Sequence, residues 1–216
     1  MRTAKKSFAH PPGLWQRLME SFRGRRQKLV RGDRSAPLLL LSYPPGSGAE
    51  EAALELEACY THTLPALSDA LARRYAPMWE HLPAVVVVLL RPRSACGCLG
   101  HHHPRGTESG LARRLQTELG GSTGEIDLAY EAIRRWQPLP LSSLASAELG
   151  DRLAQLHFHA ALLSVLVHEL EHLAFPQKPE RIVRSGSNEF YGMLMEELVR
   201  AESGAVFGMK ESRRES

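Results

Sequence analysis

Val165-Leu166-Val167-His168-Glu169-Leu170-Glu171-His172 is the stretch on which the reading of this chain turns. It closes a run, Leu156 to Val167, that has no Pro or Gly and contains Ala160-Ala161-Leu162-Leu163-Ser164-Val165-Leu166-Val167, the composition of a buried helix. Residues four apart on a helix share one face, ~6 Å apart along the axis, so His168 and His172 can reach a single metal ion. Glu169 is rotated by about 100° from His168. It can flank that ion without ligating it and take a proton from a metal-bound water. Three fixed residues in five positions also arise by accident; the apolar helical context is what the motif needs to mean more than that.

Outward from the motif, a long helix is expected from about Ser146 to Phe175, stopped by Pro176 and Pro179. A final helix is expected from about Asn188 to Phe207, with Ser187 as N-cap and Glu189 in its first turn. A catalytic zinc site usually has three protein ligands and an open position, so the final helix should supply one more. On it Phe190, Met193, Leu194, Leu198, Ala201 and Ala205 cluster on one face, and Glu197 falls inside that face. A carboxylate there is costly to bury unpaired, and a metal would be its partner. Glu197 is therefore the expected third ligand, with Glu202 second; the plain alternative is a salt bridge from Glu197 to Arg181, Arg184 or Arg200. Glu171 reads as solvent-facing. His157 is more than ~15 Å from His168 by helical rise, too far to share its metal.

Elsewhere the pattern mixes helices and strands without regular alternation, which reads as α+β. Leu14, Trp15, Leu18, Phe22 and Leu29 suggest a basic amphipathic helix over 12–29. Ala36 to Tyr43 reads as a buried strand, ended by Pro44-Pro45-Gly46-Ser47-Gly48. Ala84-Val85-Val86-Val87-Val88-Leu89-Leu90, between Pro83 and Pro92, reads as a strand buried on both faces. Helices are expected over Ala49–Ala58, Leu67–His81 and Leu111–Leu119, and Arg91 to Thr107 as a polar loop. Ile126 to Tyr130 fits a strand, or the start of a helix carrying Ile133 and Trp136. Three units follow: a basic, partly helical extension (1–34), a domain (35–207) and a charged tail (208–216).

The helix bearing His168, Glu169 and His172, followed by a helix bearing Glu197, resembles the gluzincin branch of the zincin metallopeptidases. That resemblance implies a small mixed sheet with a long motif helix and a C-terminal ligand-bearing helix. It implies Zn2+ held by His168, His172 and Glu197, and hydrolysis of a peptide or protein substrate by a zinc-bound water with Glu169 as general base. It also implies an edge strand beside the motif helix that holds an extended substrate, for which Ile126–Tyr130 is the nearest candidate. Ala174-Phe175-Pro176-Gln177 after the motif is not the metzincin continuation. Tyr191, His157 and Arg184 are candidates to stabilise the developing oxyanion, and nothing in the sequence selects one.

The 216 residues carry a net charge of +3 and only three cysteines. Cys59, Cys96 and Cys98 make no disulfide framework, and the odd count suits a reducing cytoplasm. The first thirty residues lack the apolar core of a secretory signal, and no membrane span is expected, because the one long apolar segment carries His168, Glu169, Glu171 and His172. Cys96-Gly97-Cys98 with His101-His102-His103 has the donors for zinc but no standard spacing, and reads as a loop that binds metal weakly or caps the active site. Residues 1–34 hold ten basic side chains against Glu20 and Asp33. They offer a contact for nucleic acid or an acidic surface. Two rival functions follow: a non-catalytic metal-binding regulatory module, and a nucleic-acid-associated protein using the basic arm.

Overall fold

Val85–Arg91, six apolar residues before an arginine, forms the central strand (β3) of a five-stranded sheet. The computed structural model describes residues 24–33, 35–94, 96–104, 106–119, 121–136 and 147–212. The elements are β1 (Arg26–Arg31), β2 (Leu38–Tyr43), α1 (Ser47–Ala58), α2 (Asp69–Tyr75), β3, β4 (Gly100–His102), α3 (Gly110–Leu119), β5 (Thr123–Ala129), α4 (Tyr130–Arg135), α5 (Ala147–Ala174) and α6 (Glu180–Ser212). A single π-helical turn, Cys59–Thr63, and one further helical turn, Leu64–Ala66, follow α1. The order across the sheet is β1-β2-β3-β5-β4. β2, β3 and β5 are parallel, and antiparallel strands flank them: β1 against β2, and β4 against β5. The protein is thus α+β with an open mixed sheet.

The alternation of side chains along a strand divides the core in two. Leu39, Leu41, Val86, Val88, Leu90, Ile126 and Leu128 face α1, α5 and α6, where the main core lies. Leu40, Val87 and Leu89 face α3, through Leu111, Ala112 and Leu115. β3 is covered on both sides, which explains its unbroken apolar run. Ala160 to Leu163 on α5 are all buried in the main core, so this helix is apolar nearly all round. Its Asp151–Ala174 portion is long and apolar enough to cross a membrane by length and composition, and 67% of its most apolar window is buried inside the fold.

Several expectations change. The helix expected over 12–29 lies partly outside the described residues, and from Arg26 the chain is strand β1, paired with β2 from Arg26↔Tyr43 to Arg31↔Leu38. A long ladder to a buried neighbour outweighs a local helical pattern. The sheet therefore begins within the stretch expected to be an extension. The helix expected over Leu67–His81 stops at Tyr75, followed by a 3-10 turn at Ala76–Met78; Pro77, with no N–H, cannot continue the α-helical bonding. Of the two readings of Ile126–Tyr130 the strand holds, through Ala129 where β5 ends, and a helix, α4, starts only at Tyr130 and stops at Arg135, before Trp136. The loop expected over Arg91–Thr107 contains a strand, β4. α6 starts eight residues earlier than expected, at Glu180. Only Phe175–Pro179 separates it from α5, with Phe175 N–H on the Glu171 carbonyl and Ile182 and Val183 N–H both on the Pro179 carbonyl. Ser187, the expected N-cap, lies inside the helix.

Candidate metal and active site

The tight α5–α6 turn sends the two helices back along each other, and this determines what meets His168 and His172. Val183, Phe190, Tyr191 and Leu194 bury one face of α6, and that packing aims the first turn of α6 at the motif. Glu180 Oε2 lies 2.7 Å from His172 Nε2 and 3.7 Å from His168 Nε2. One donor atom from each of the three residues falls within 4.8 Å of the others.

Each donor has an outer partner. Ser187 donates its hydroxyl proton to the Val183 carbonyl (2.9 Å). Its oxygen is thereby left to accept from His168 Nδ1, also at 2.9 Å. That pair of bonds selects the tautomer whose Nε2 lone pair faces Glu180. Arg184 grips Glu180 Oε1 through Nη2 (3.0 Å) and Nε (3.2 Å), leaving Oε2 for the imidazoles. His172 stacks on His102 of β4, ring centroids 4.7 Å apart and planes within 15°. Burial is the main influence on His168 and lowers its pKa, opposed by nearby Glu169. Burial works to raise the Glu180 pKa, but the Arg184 hydrogen bond and the two imidazoles outweigh it and hold the carboxyl below its ordinary value. The pair thus favours a neutral imidazole and an ionised carboxylate, the forms that bind a metal.

Glu169 is 5% exposed. Its Oε2 is 3.6 Å from His102 Nδ1, and β4 presses on it closely. A Cβ at Gly100 would meet Glu169 Oε1 at 2.5 Å and Val165 Cγ1 at 2.8 Å, so only glycine lets the strand approach the helix here. His168, Glu169, His172 and Glu180 line a cleft of about 1100 Å³, with Cys96 to His102 on one wall and Arg184, Ser187 and Tyr191 on another.

Glu197, the ligand expected from the helical face, is not brought to this pair. Its carboxylate accepts from the Ser68 backbone N–H (3.0 Å) and hydroxyl (2.8 Å), beside the start of α2. Glu202 lies 3.9 Å from Arg152. The expected apolar face is covered only in part, since Met193 and Ala201 are exposed and Glu197 is half-buried, and the neighbour of Glu197 is the start of α2 rather than the motif. The sequence pattern does not point to Glu180, because it starts the final helix at Asn188, eight residues later. Pro179 immediately before Glu180, proline being favoured at helix starts, was the signal in the sequence. Glu171 is buried rather than solvent-facing, paired with Lys178 and 3.8 Å from Arg74.

Among the candidate electrophiles, His157 lies beneath Tyr191. Its Nε2 contacts the Trp136 carbonyl and so carries the proton, which makes its Nδ1 the acceptor for the Tyr191 hydroxyl at 2.5 Å. Burial pushes the Tyr191 phenol up to about 12. The strand at the cleft is β4; β5, which contains most of Ile126–Tyr130, is interior, between β3 and β4. Cys96 and Cys98 are joined to each other as a disulfide, and Cys59 is a buried free thiol. The histidine triplet divides across β4: His102 faces the cleft, while His103 lies 3.5 Å from Asp127 on the opposite face. The cysteines and histidines of this loop form no metal cluster among the described residues. Of the basic segment, Arg26 pairs with Glu50, Lys28 with Glu57, and Arg25 binds Ser42 and the Leu90 carbonyl (3.0 Å). These charges are engaged within the fold.

Fold and site together define an α+β protein with a helix-borne His–His–Glu constellation beside a buried carboxylate. Comparison of the chain with protein-family models, curated proteins and solved structures returns no match.

Proposed function

We propose that the protein is a zinc-dependent metallopeptidase of zincin-like, gluzincin-type architecture, with His168, His172 and Glu180 as the metal ligands and Glu169 as general base. The observation that carries this reading is the convergence of Glu180 on the two motif imidazoles at the floor of a cleft that Glu169 also lines. Two imidazoles and a carboxylate are the donor set of hydrolytic zinc sites. The Ser187 and Arg184 contacts are the outer-shell support that such ligands normally have. Zinc bound there would supply a Lewis acid and lower the pKa of a coordinated water.

The chain's own residues have separable tasks. Glu169, dry and held between α5 and β4, takes a proton from the attacking water and delivers it to the leaving amine. Arg184 orients Glu180 and adds positive charge to the cleft wall, where an oxyanion develops. Tyr191, its proton directed to His157, shapes the same wall farther along α6. The free edge of β4 supplies backbone groups against which an extended peptide can lie. Purified protein should contain one tightly held zinc in this site and cleave members of a peptide library. Glu169→Gln should retain that zinc and lose ~10²–10⁴-fold in kcat. A wild-type protein that takes up no zinc here on reconstitution, or a fully active Glu169→Gln, would overturn the proposal.

A further inference from the structure

A second group of metal-binding side chains lies on the same long helix. His159 is nine residues before His168, which is roughly 14 Å along the axis. Glu55 and Cys59, four residues apart where α1 passes into the π turn, face it. One donor atom from each of Glu55, Cys59 and His159 lies within 4.8 Å of the others. Glu55 Oε1 contacts His159 Nδ1, and Thr63 Oγ1 is 2.7 Å from His159 Nε2. The Cys59 thiol is fully buried and leans on the His159 carbonyl at 3.6 Å.

We propose that Glu55, Cys59 and His159 form a second, structural metal site for a divalent ion of zinc-like preference, one that fastens α1 and the π turn to α5. The donor types are a thiol, an imidazole and a carboxylate, all suited to that ion. Bond lengths of zinc to S, N and O imply donor separations of ~3.3–3.8 Å. The trio's donor atoms all lie within 4.8 Å of one another, so they would have to settle to that spacing around an ion. Thr63 occupies Nε2 of the ring, so Nδ1 is the ligating nitrogen, and Thr63 is its outer-shell partner. Thr63 lies four residues after Cys59, at the end of the π turn, so the two share a side of the helix.

The charge balance of the trio leaves room for a cation. No Lys or Arg among the described residues pairs with Glu55; its one ionic partner is His159. A divalent cation between Glu55 and Cys59 would supply the missing positive charge and favour the thiolate that binds it.

The test is cobalt loading of the full-length chain carrying Cys96→Ser and Cys98→Ser, so that Cys59 is the sole thiol. Expected are two equivalents of Co²⁺ per chain and a thiolate-to-cobalt charge-transfer band in the near ultraviolet. His168→Ala should remove one equivalent and leave the band. Cys59→Ser should remove the other equivalent with the band. Because Cys59 is fully buried, Glu55→Gln serves as a second variant; it should weaken the band-forming site by at least ~10-fold and leave the other equivalent in place. Uptake of one equivalent with no thiolate band, abolished by His168→Ala, would overturn this second site while keeping the proposed active site. One equivalent with the band, indifferent to His168→Ala, would keep the second site and remove the other.

Discussion

Exchanging the two candidate carboxylates separates a metal ligand from a packing residue. Glu180 presents Oε2 to both imidazoles, at 2.7 and 3.7 Å. Glu197 spends both oxygens on Ser68. Loss of an outer-shell partner alone costs ~10–100-fold in metal affinity, so Glu180→Gln, which removes a charged ligand, should weaken zinc binding by ~100-fold or more. That corresponds to about 2.7 kcal/mol or more of binding free energy. Glu197→Gln keeps one acceptor for Ser68 and loses the other. It should cost about 1 kcal/mol of folding stability, which lowers Tm by ~2–4 °C for a chain of this size, and it should leave zinc affinity unchanged. The assay is competition against a chromophoric chelator, with thermal unfolding of each variant alongside. A Glu197→Gln protein that loses zinc while Glu180→Gln retains it would refute the assignment and the tight-turn geometry behind it.

Other consequences can be checked on the same protein. Gly100→Ala puts a methyl 2.5 Å from Glu169 Oε1 and displaces the base; overpacking should cost ~1–3 kcal/mol of stability, and a misplaced base should lower kcat ~100-fold with zinc retained. An unaltered kcat would show that Glu169 is not held by β4. Ser187→Ala frees His168 Nδ1 and should weaken zinc ~10–100-fold, so unchanged affinity in the same competition assay counts against the tautomer argument. For metal-free protein, the pKa of His168 is depressed below 6.5 in the fold, mainly by burial. The unfolded chain therefore binds this proton first, and the stability it contributes is present above pH 6.5 and lost as pH falls through the folded value. Glu180, depressed below 4.5, adds a second loss in the same direction at lower pH. Thermal unfolding of the chelated protein should weaken from near neutrality downward, and His168→Gln should flatten the upper part of that curve. A wild-type profile that rises on acidification would reverse the sign.

What was legible without coordinates was what one element contains by itself. His168, Glu169 and His172 share a helix, and the helix repeat alone relates them. The β-branched apolar run of β3 between Pro83 and Pro92 announces a strand buried on both faces, and Leu38–Leu41 a buried strand ended by Pro44-Pro45-Gly46. The features that failed were those made between elements. Gly100–His102 is three residues with no strand pattern, and it is a strand because β5 offers it a ladder and Gly100 lets it close on Glu169. Arg26–Arg31 reads as the end of a basic helix until β2 pairs with it. Both Glu197 and Glu180 are acidic residues on one helix, and the sequence cannot order them by distance from His172. Choosing between them required the five-residue turn at Phe175–Pro179 and the packing of α6 through Val183, Phe190 and Leu194, which together orient the first turn of α6 toward the motif and hand Glu197 to Ser68. Residue chemistry and helix period determined the candidate metal-binding pair and its neighbouring carboxylate; the tertiary packing decided which carboxylate meets that pair, because reach across two helices depends on where the chain turns and not on which residues it contains.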